Sequence, residues 1–261
     1  MAFAATSDRP IRGAVATLGV SDRISFLRKT YGHLGAALIA WPLLTALIMK
    51  FAPAFSFGIF EFAFLKGSWN WLIVLGLFMG AGYIATRLAT SETSRGLQYL
   101  GLGIEVAAWS LLIQPVIWVL MLKFGNPEAM FTTAGVTPVL SGTAMAILMQ
   151  AIVITLAIFI GLTLTVFITK KDFSFMRGFL TICTFAALGV ILASMLFGFS
   201  LGALFAGLMI LLMGGYILYQ TSLVMSQFPP TAHVAAALML FSTVATLFWY
   251  VLNFLMSMRR D

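Results

Sequence analysis

Hydrophobic residues in this chain form long unbroken runs that are separated by short polar segments. The longest stretch without Asp, Glu, Lys or Arg covers residues 178–258, which is 81 residues. A helix that crosses a bilayer needs about 20 apolar residues, so this stretch accommodates three crossings and two turns. A water-soluble domain of this length has no core large enough to bury so much apolar surface. The pattern therefore predicts an integral membrane protein.

Hydropathy along the whole chain predicts seven membrane-spanning helices, each long enough to satisfy its own backbone hydrogen bonds in lipid. A turn at residues 198–200 separates the fifth span from the sixth, because one helix across both would be about 70 Å long. The predicted fold class is an all-α membrane protein, a seven-transmembrane-helix bundle. The predicted spans are residues 31–49, 69–88, 96–122, 144–169, 179–197, 201–225 and 235–257.

Composition agrees with this interpretation and narrows the possible partners. Hydrophobic residues make up 61% of the chain and charged residues 9%, whereas soluble domains carry about 25% charged residues. The net charge is +7, but the basic residues flank hydrophobic runs, so we expect a lipid bilayer as partner and no nucleic acid. The single cysteine, Cys183, lies in a hydrophobic run, which excludes an intramolecular disulfide and a multi-cysteine metal site. No cofactor is expected.

The distribution of Lys and Arg predicts the orientation in the membrane. If the N-terminus is cytoplasmic, ten of the 15 basic residues lie on that side and five on the other. The positive-inside rule therefore predicts a cytoplasmic N-terminus in the inner membrane and, after seven crossings, an external C-terminus. Arg259 and Arg260 favour the alternative of a seventh span that does not cross fully. The ten are Arg9, Arg12, Arg23, Arg28, Lys29, Arg87, Arg95, Lys170, Lys171 and Arg177.

Two regions follow from this topology. Residues 1–29 are predicted to form a basic cytoplasmic arm, and residues 30–261 the seven-helix transmembrane domain. The connections between spans are short, apart from the one at residues 123–143. The predicted loops therefore leave no room for a catalytic domain outside the membrane.

A few polar side chains at membrane depth are the candidate functional residues, because burying an ionisable group in lipid costs several kcal/mol unless it is paired or hydrated. Glu105 lies nine residues into the third predicted span, and Arg87 lies near the cytoplasmic end of the second. Gln220 and Thr243 fall in the same inner half of the bundle. We therefore predict that the four residues form one polar cluster, which serves as an ion pathway or as a pH sensor. Alternatively, Glu105 is neutral or pairs with Arg87, and the other two are ordinary interhelical hydrogen-bonding residues.

Catalysis inside the membrane requires residues that the predicted spans lack. An intramembrane aspartyl protease needs two carboxylates, whereas the seven spans contain Glu105 alone. A serine protease needs a histidine base at the depth of its nucleophile, but His33 and His233 lie close to the interface. A retinal protein needs a lysine in its seventh span, and zinc chemistry needs three or more clustered ligands. We therefore expect no enzymatic activity and no metal site.

Four segments carry a recognisable pattern. At the junction of the fourth and fifth spans, Lys170 and Lys171 can anchor a helix end at the lipid headgroups, and Asp172 can cap the next helix. The segments are FLRKTYGHLGAAL at residues 26–38, FIGLTLTVFITKKDFSFMRGFL at 159–180, GYILYQT at 215–221 and AAALMLFSTVATLF at 235–248.

These segments resemble the Bax inhibitor-1 family, over about residues 26–256. The resemblance implies a bundle with a central seventh helix, and the functions of a pH-sensitive calcium leak, control of cell death or modulation of a membrane-anchored protease. The leak depends on two aspartates in the sixth and seventh spans of the family, where this sequence has Gln220 and Thr243. These side chains do not titrate near neutral pH and provide no negative charge for Ca²⁺.

Two functions therefore stay open. As a leak for Ca²⁺ or protons, the protein would use Glu105 as its titratable group, with Gln220 and Thr243 as neutral lining. As a non-conducting interaction protein, it would bind partner helices or a membrane protease complex and modulate a stress or cell-death response.

Overall fold

The computed structural model describes residues 14–17, 19–67, 69–132, 135–140 and 142–259, and within them seven helical spans are long and apolar enough to cross a membrane. The predicted fold class is confirmed. One span consists of two helices in succession, α4 and α5, and one short helix, α2, lies outside the seven. The helices are α1 (Val20–Phe51), α2 (Pro53–Phe60), α3 (Asn70–Ala89), α4 (Arg95–Leu112), α5 (Gln114–Phe124), α6 (Gly142–Thr169), α7 (Arg177–Phe197), α8 (Ala203–Ser226) and α9 (His233–Met258).

Observed and predicted spans differ most at the first helix, which begins at Val20 instead of residue 31. Hydropathy detects only the apolar part of a helix, whereas α1 continues through the polar residues on its N-terminal side. The last ten residues of the predicted arm, 20–29, are therefore helical. Arg9, Arg12 and Arg260, which entered the prediction of orientation, lie outside the described residues.

Backbone chemistry explains two helix boundaries. Pro115 has no N–H to donate, and the third span is interrupted at Ile113, between α4 and α5. Gly198 follows α7 with φ of 73°, a left-handed conformation that glycine adopts without steric conflict. This residue ends α7 and confirms the predicted turn before α8.

The connections after α1 and after α5 contain structure that was not expected from the sequence. After α1, the short helix α2 is followed by a π-helical turn, Glu61–Leu65, and α2 packs against α5. In the connection after α5, the strands β1 (Phe131–Thr132) and β2 (Gly135–Val136) form a small antiparallel hairpin. Both features lie at the same end of the bundle.

Helix α9 occupies the centre of the bundle. It packs against α1, α3, α4, α6 and α8, and its buried side chains include Ala237, Leu240, Phe241 and Leu247. The central seventh helix implied by the family resemblance is therefore present. By contrast, α7 lies at the edge of the bundle. Leu180 is its one buried residue among the described residues, and the helix packs mainly against α8.

Close contact between α3 and α4 sets the position of the candidate site. A Cβ atom on Gly101 would lie 2.5 Å from the carbonyl oxygen of Ala85 and 2.6 Å from the backbone nitrogen of Ala89. Glycine is therefore required for the two backbones to approach each other at this point. Glu105 lies one helical turn further along α4, facing the same interface.

Candidate functional site

Glu105 is a buried carboxyl group between α4 and the central helix. Its side chain is 4% exposed. Ser242 of α9 donates a hydrogen bond from its hydroxyl to Glu105 Oε1. Trp109 donates to the same oxygen from its indole Nε1, at 3.2 Å, because residues four apart lie on one face of a helix. Both donors are neutral groups.

The second oxygen of Glu105 faces α3. Within the described part of the chain, Glu105 Oε2 is buried and has no hydrogen-bond partner. A Cβ atom placed on Gly82 would lie 3.6 Å from this oxygen. The carboxyl group is therefore enclosed by α3, α4 and α9, with one oxygen bonded and the other free.

Gln220 and Thr243 contact each other directly. Thr243 Oγ1 donates a hydrogen bond to Gln220 Oε1 at 2.8 Å, and both residues are buried at the interface of α8 and α9. Ser242 precedes Thr243, and consecutive residues of an α-helix point about 100° apart. One turn of α9 thus contacts Glu105 on one side and Gln220 on the other.

Arg87 lies apart from these residues. Its side chain is exposed, its Nε donates to the Tyr83 hydroxyl at 3.0 Å, and its guanidinium group lies 5.2 Å from the Tyr83 ring centroid. Among the described residues, the ion pair in the structure joins Lys66 to Glu61 at 4.0 Å and does not involve Arg87. Three of the four predicted residues are therefore linked through α9, and Arg87 contacts its own helix instead.

Comparison with known protein families gives a match over nearly the whole chain. A family model described as "Inhibitor of apoptosis-promoting Bax1" matches residues 23–260. The chain belongs to the Bax inhibitor-1 family. The resemblance stated from the sequence segments is confirmed.

Curated relatives of this family member come from fungi, animals and bacteria. Bax inhibitor 1 of Schizosaccharomyces pombe is 27% identical over 92% of this chain and 79% of its own length. Protein lifeguard 4 of Mus musculus is 25% identical over 92% of this chain and 88% of its own length. The uncharacterized protein PA2604 of Pseudomonas aeruginosa is 28% identical, over 40% of this chain and 46% of its own length.

This Bax inhibitor-1 family member has a second buried polar cluster, which the sequence analysis did not predict. Ser56 of α2 donates to Gln114 Oε1 at 2.6 Å, and Trp118 Nε1 donates to Ser56 Oγ at 2.8 Å. Gln114 Nε2 donates to the carbonyl oxygens of Ser110 at 3.0 Å and Thr45 at 3.3 Å. The cluster therefore joins α1, α2, α4 and α5.

The partners of Glu105 were also missed, although the sequence contained a signal for each. Trp109 lies four residues after Glu105, at the spacing of side chains that meet on one helix face. Ser242 directly precedes Thr243, which was selected for its depth in the seventh span. Only the folded structure shows that Ser242, and not Thr243, bonds to the carboxyl group.

Proposed function

We propose that this Bax inhibitor-1 family protein is a pH-sensitive ion leak, with Glu105 as the titratable group beside the central helix α9. The observation that carries the proposal is a buried carboxyl group that is held by neutral donors, Ser242 and Trp109. A negative charge on Glu105 has no counter-charge among the described residues, so a proton or a cation has to neutralise it. Glu105 can then exchange its charge without breaking an ion pair.

The donor set favours protons over tightly bound calcium. Ca²⁺ takes six to eight oxygen ligands, usually with several carboxylates. In the described segments there is no group of three or more His, Cys, Asp or Glu that could hold a metal ion. Gln220 already accepts a hydrogen bond from Thr243. Ca²⁺, the ion implied by the family resemblance, would therefore pass with most of its hydration water.

The proposed location is the inner membrane, with the N-terminus in the cytoplasm. Lys170, Lys171 and Arg177 lie at the connection between α6 and α7, and Lys29 and Arg95 lie at the same end of the bundle. This excess of basic residues at one end supports the orientation.

Flux measurements test the leak function. Purified protein is reconstituted into vesicles that contain a pH indicator or a calcium indicator, and a gradient of each ion is applied between pH 6 and 8. We expect proton flux above that of empty vesicles, with a rate that depends on pH. If neither ion crosses faster than in empty vesicles at any pH, the leak function is wrong.

A second function is favoured by one feature of the bundle. Helix α7 exposes Phe179, Ile182 and Phe185 along its outer surface. Such a surface fits a partner helix as well as it fits lipid, because helices in membranes associate through packing. The protein would then be a non-enzymatic interaction protein that modulates a membrane-anchored protease or a cell-death response.

Crosslinking in the native membrane tests this second function. A photo-activated crosslinking residue is placed at Ile182 on α7 and, as a matched control, at Leu77, an exposed position on α3. A specific partner recovered from position 182 and absent from position 77 supports the interaction function. Recovery of lipid alone from both positions counts against it.

A further inference from the structure

The two histidines of the chain lie far apart in sequence but meet in the structure. His33 belongs to α1, His233 is the first residue of α9, and their ring centroids are 5.2 Å apart. Tyr99 of α4 stacks on His33, with ring centroids 5.4 Å apart. Three helices therefore meet at one cluster of rings, at the end of the bundle where α4 and α9 begin.

One hydrogen bond determines which ring nitrogen of His33 is available. His33 Nδ1 lies 2.6 Å from the carbonyl oxygen of Lys29, and a carbonyl oxygen only accepts, so Nδ1 donates. The other nitrogen, Nε2, then carries the lone pair of the neutral ring. The His33 ring lies directly beside the ring of His233.

Two permanent positive charges accompany the histidines. Lys29 lies one turn before His33 on α1, and Arg95 lies one turn before Tyr99 on α4. Both are exposed and close enough to His233 to interact with it electrostatically. Within the described ranges, neither Lys29 nor Arg95 forms an ion pair with an acidic side chain. We call Lys29, His33, Arg95 and His233 the basic cluster.

The helix starts add to the positive potential. Arg95 and His233 are the first residues of α4 and α9, and the residues before them, Ser94 and Ala232, make no side-chain capping hydrogen bond. The backbone N–H groups of a first helical turn lack partners within the helix and favour negative charge. The basic cluster and two helix starts thus present donors and positive charge on one surface.

Two acidic residues lie on or next to the same helices. Asp22 lies in the first turn of α1, and Glu92 lies in the connection before α4. Among the described residues, neither is in an ion pair with a member of the basic cluster. A bound cation is therefore disfavoured, and an anion is favoured.

We infer that the basic cluster is a binding site for a phosphate group. Lysine and arginine give charge-assisted hydrogen bonds to phosphate oxygens, and the phosphate offers three or four acceptors. The phosphate belongs either to the headgroup of an anionic phospholipid or to a free phosphate compound. A phosphate anion beside an imidazole ring favours the protonated form of that ring, so binding strengthens as the pH falls. This site is independent of the leak function.

Ligand-induced stabilisation of the full-length protein in nonionic detergent tests the inference. The melting temperature is measured at pH 6 and 8 with inorganic phosphate, with short-chain phosphatidylglycerol and with short-chain phosphatidylcholine. A ligand that binds the folded state raises the melting temperature according to its concentration relative to the dissociation constant. We expect phosphatidylglycerol to stabilise more than phosphatidylcholine, and more strongly at pH 6. A shift with inorganic phosphate as well would assign the site to the phosphate group itself.

Variants connect the shift to the basic cluster. Arg95→Gln and Lys29→Gln each remove one exposed charge, and we expect each to weaken binding about tenfold, because one charge-assisted hydrogen bond is lost. Lys50→Gln, which removes an exposed lysine at the other end of α1, is the matched control and is expected to bind as the wild type does. The inference is overturned if neither inorganic phosphate nor phosphatidylglycerol raises the melting temperature. It is also overturned if the melting temperatures of all three variants shift as that of the wild type does.

Discussion

Thr243 on the central helix α9 donates a 2.8 Å hydrogen bond to Gln220 on α8, and the preceding residue, Ser242, donates to Glu105 on α4. One turn of α9 therefore holds two neighbouring helices by contacts of different chemical character. The Gln220 contact is neutral at every physiological pH, whereas the Glu105 contact involves a carboxyl group. Any effect of pH on this part of the bundle is expected to act between α4 and α9.

Thr243→Val tests the neutral contact. Valine has nearly the shape of threonine but cannot donate, so Gln220 Oε1 loses its partner. We expect a loss of about 1 kcal/mol in the free energy of unfolding, as is typical for hydrogen bonds between membrane helices. Unfolding in mixed detergent measures the change. The double variant Gln220→Leu, Thr243→Val should recover part of the loss. If Thr243→Val alone is as stable as the wild type, this account is contradicted.

Gly101→Ala tests the close approach of α3 and α4. The added methyl group would lie 2.5 Å from the Ala85 carbonyl oxygen, so one helix has to move. We expect a loss of about 2 kcal/mol, because overpacking of this kind costs 1–3 kcal/mol. Gly103→Ala on the same helix is the matched control, because no heavy atom lies within 4 Å of its added Cβ. Equal melting temperatures for the two variants would show that the helices are not in close contact.

Gln114→Leu tests the second polar cluster. The change leaves the hydroxyl of Ser56 without its acceptor and removes the side-chain donor to two backbone carbonyl oxygens. Unsatisfied buried polar groups cost about 1–3 kcal/mol each, so we expect the free energy of unfolding to fall by about 2 kcal/mol or more. The control is Gln150→Leu, because Gln150 is exposed and bonds to Arg259. The prediction fails if both variants unfold at the same denaturant concentration.

The proposed orientation is tested by cysteine labelling. In a Cys183→Ser background, single cysteines replace Lys170, between α6 and α7, or Lys66, after the π-helical turn. In intact cells with a permeable outer membrane, a membrane-impermeant maleimide should label position 66 and leave position 170 unlabelled. The reverse pattern would place the N-terminus outside the cytoplasm.

The spans, and the position of each polar residue along its helix, could be predicted from the sequence, because apolar length and helix rise determine both. Depth does not determine which face of a helix a residue occupies. Arg87 and Glu105 were both predicted in the inner half of the bundle, yet Arg87 lies against Tyr83 and Glu105 against Ser242.

The contact between the two histidines could not be predicted. The approach of His33 to His233 depends on how α1 and α9 pack, and neither local sequence carries a signal for the other. The helix α2 was missed for a different reason. Its 8 residues are too few for a span, so hydropathy could not separate it from a loop.

The measurement that tests the central claim most directly is the pH dependence of proton flux in vesicles that contain Glu105→Gln. Glutamine keeps the size of the side chain and can still accept from Ser242, but it cannot take up or release a proton in this range. The matched control is Glu128→Gln, because Glu128 is an exposed carboxylate in the connection after α5. We predict that between pH 6 and 8 the flux of Glu105→Gln is constant, while that of Glu128→Gln follows the wild type. A wild-type pH profile in Glu105→Gln would contradict the account.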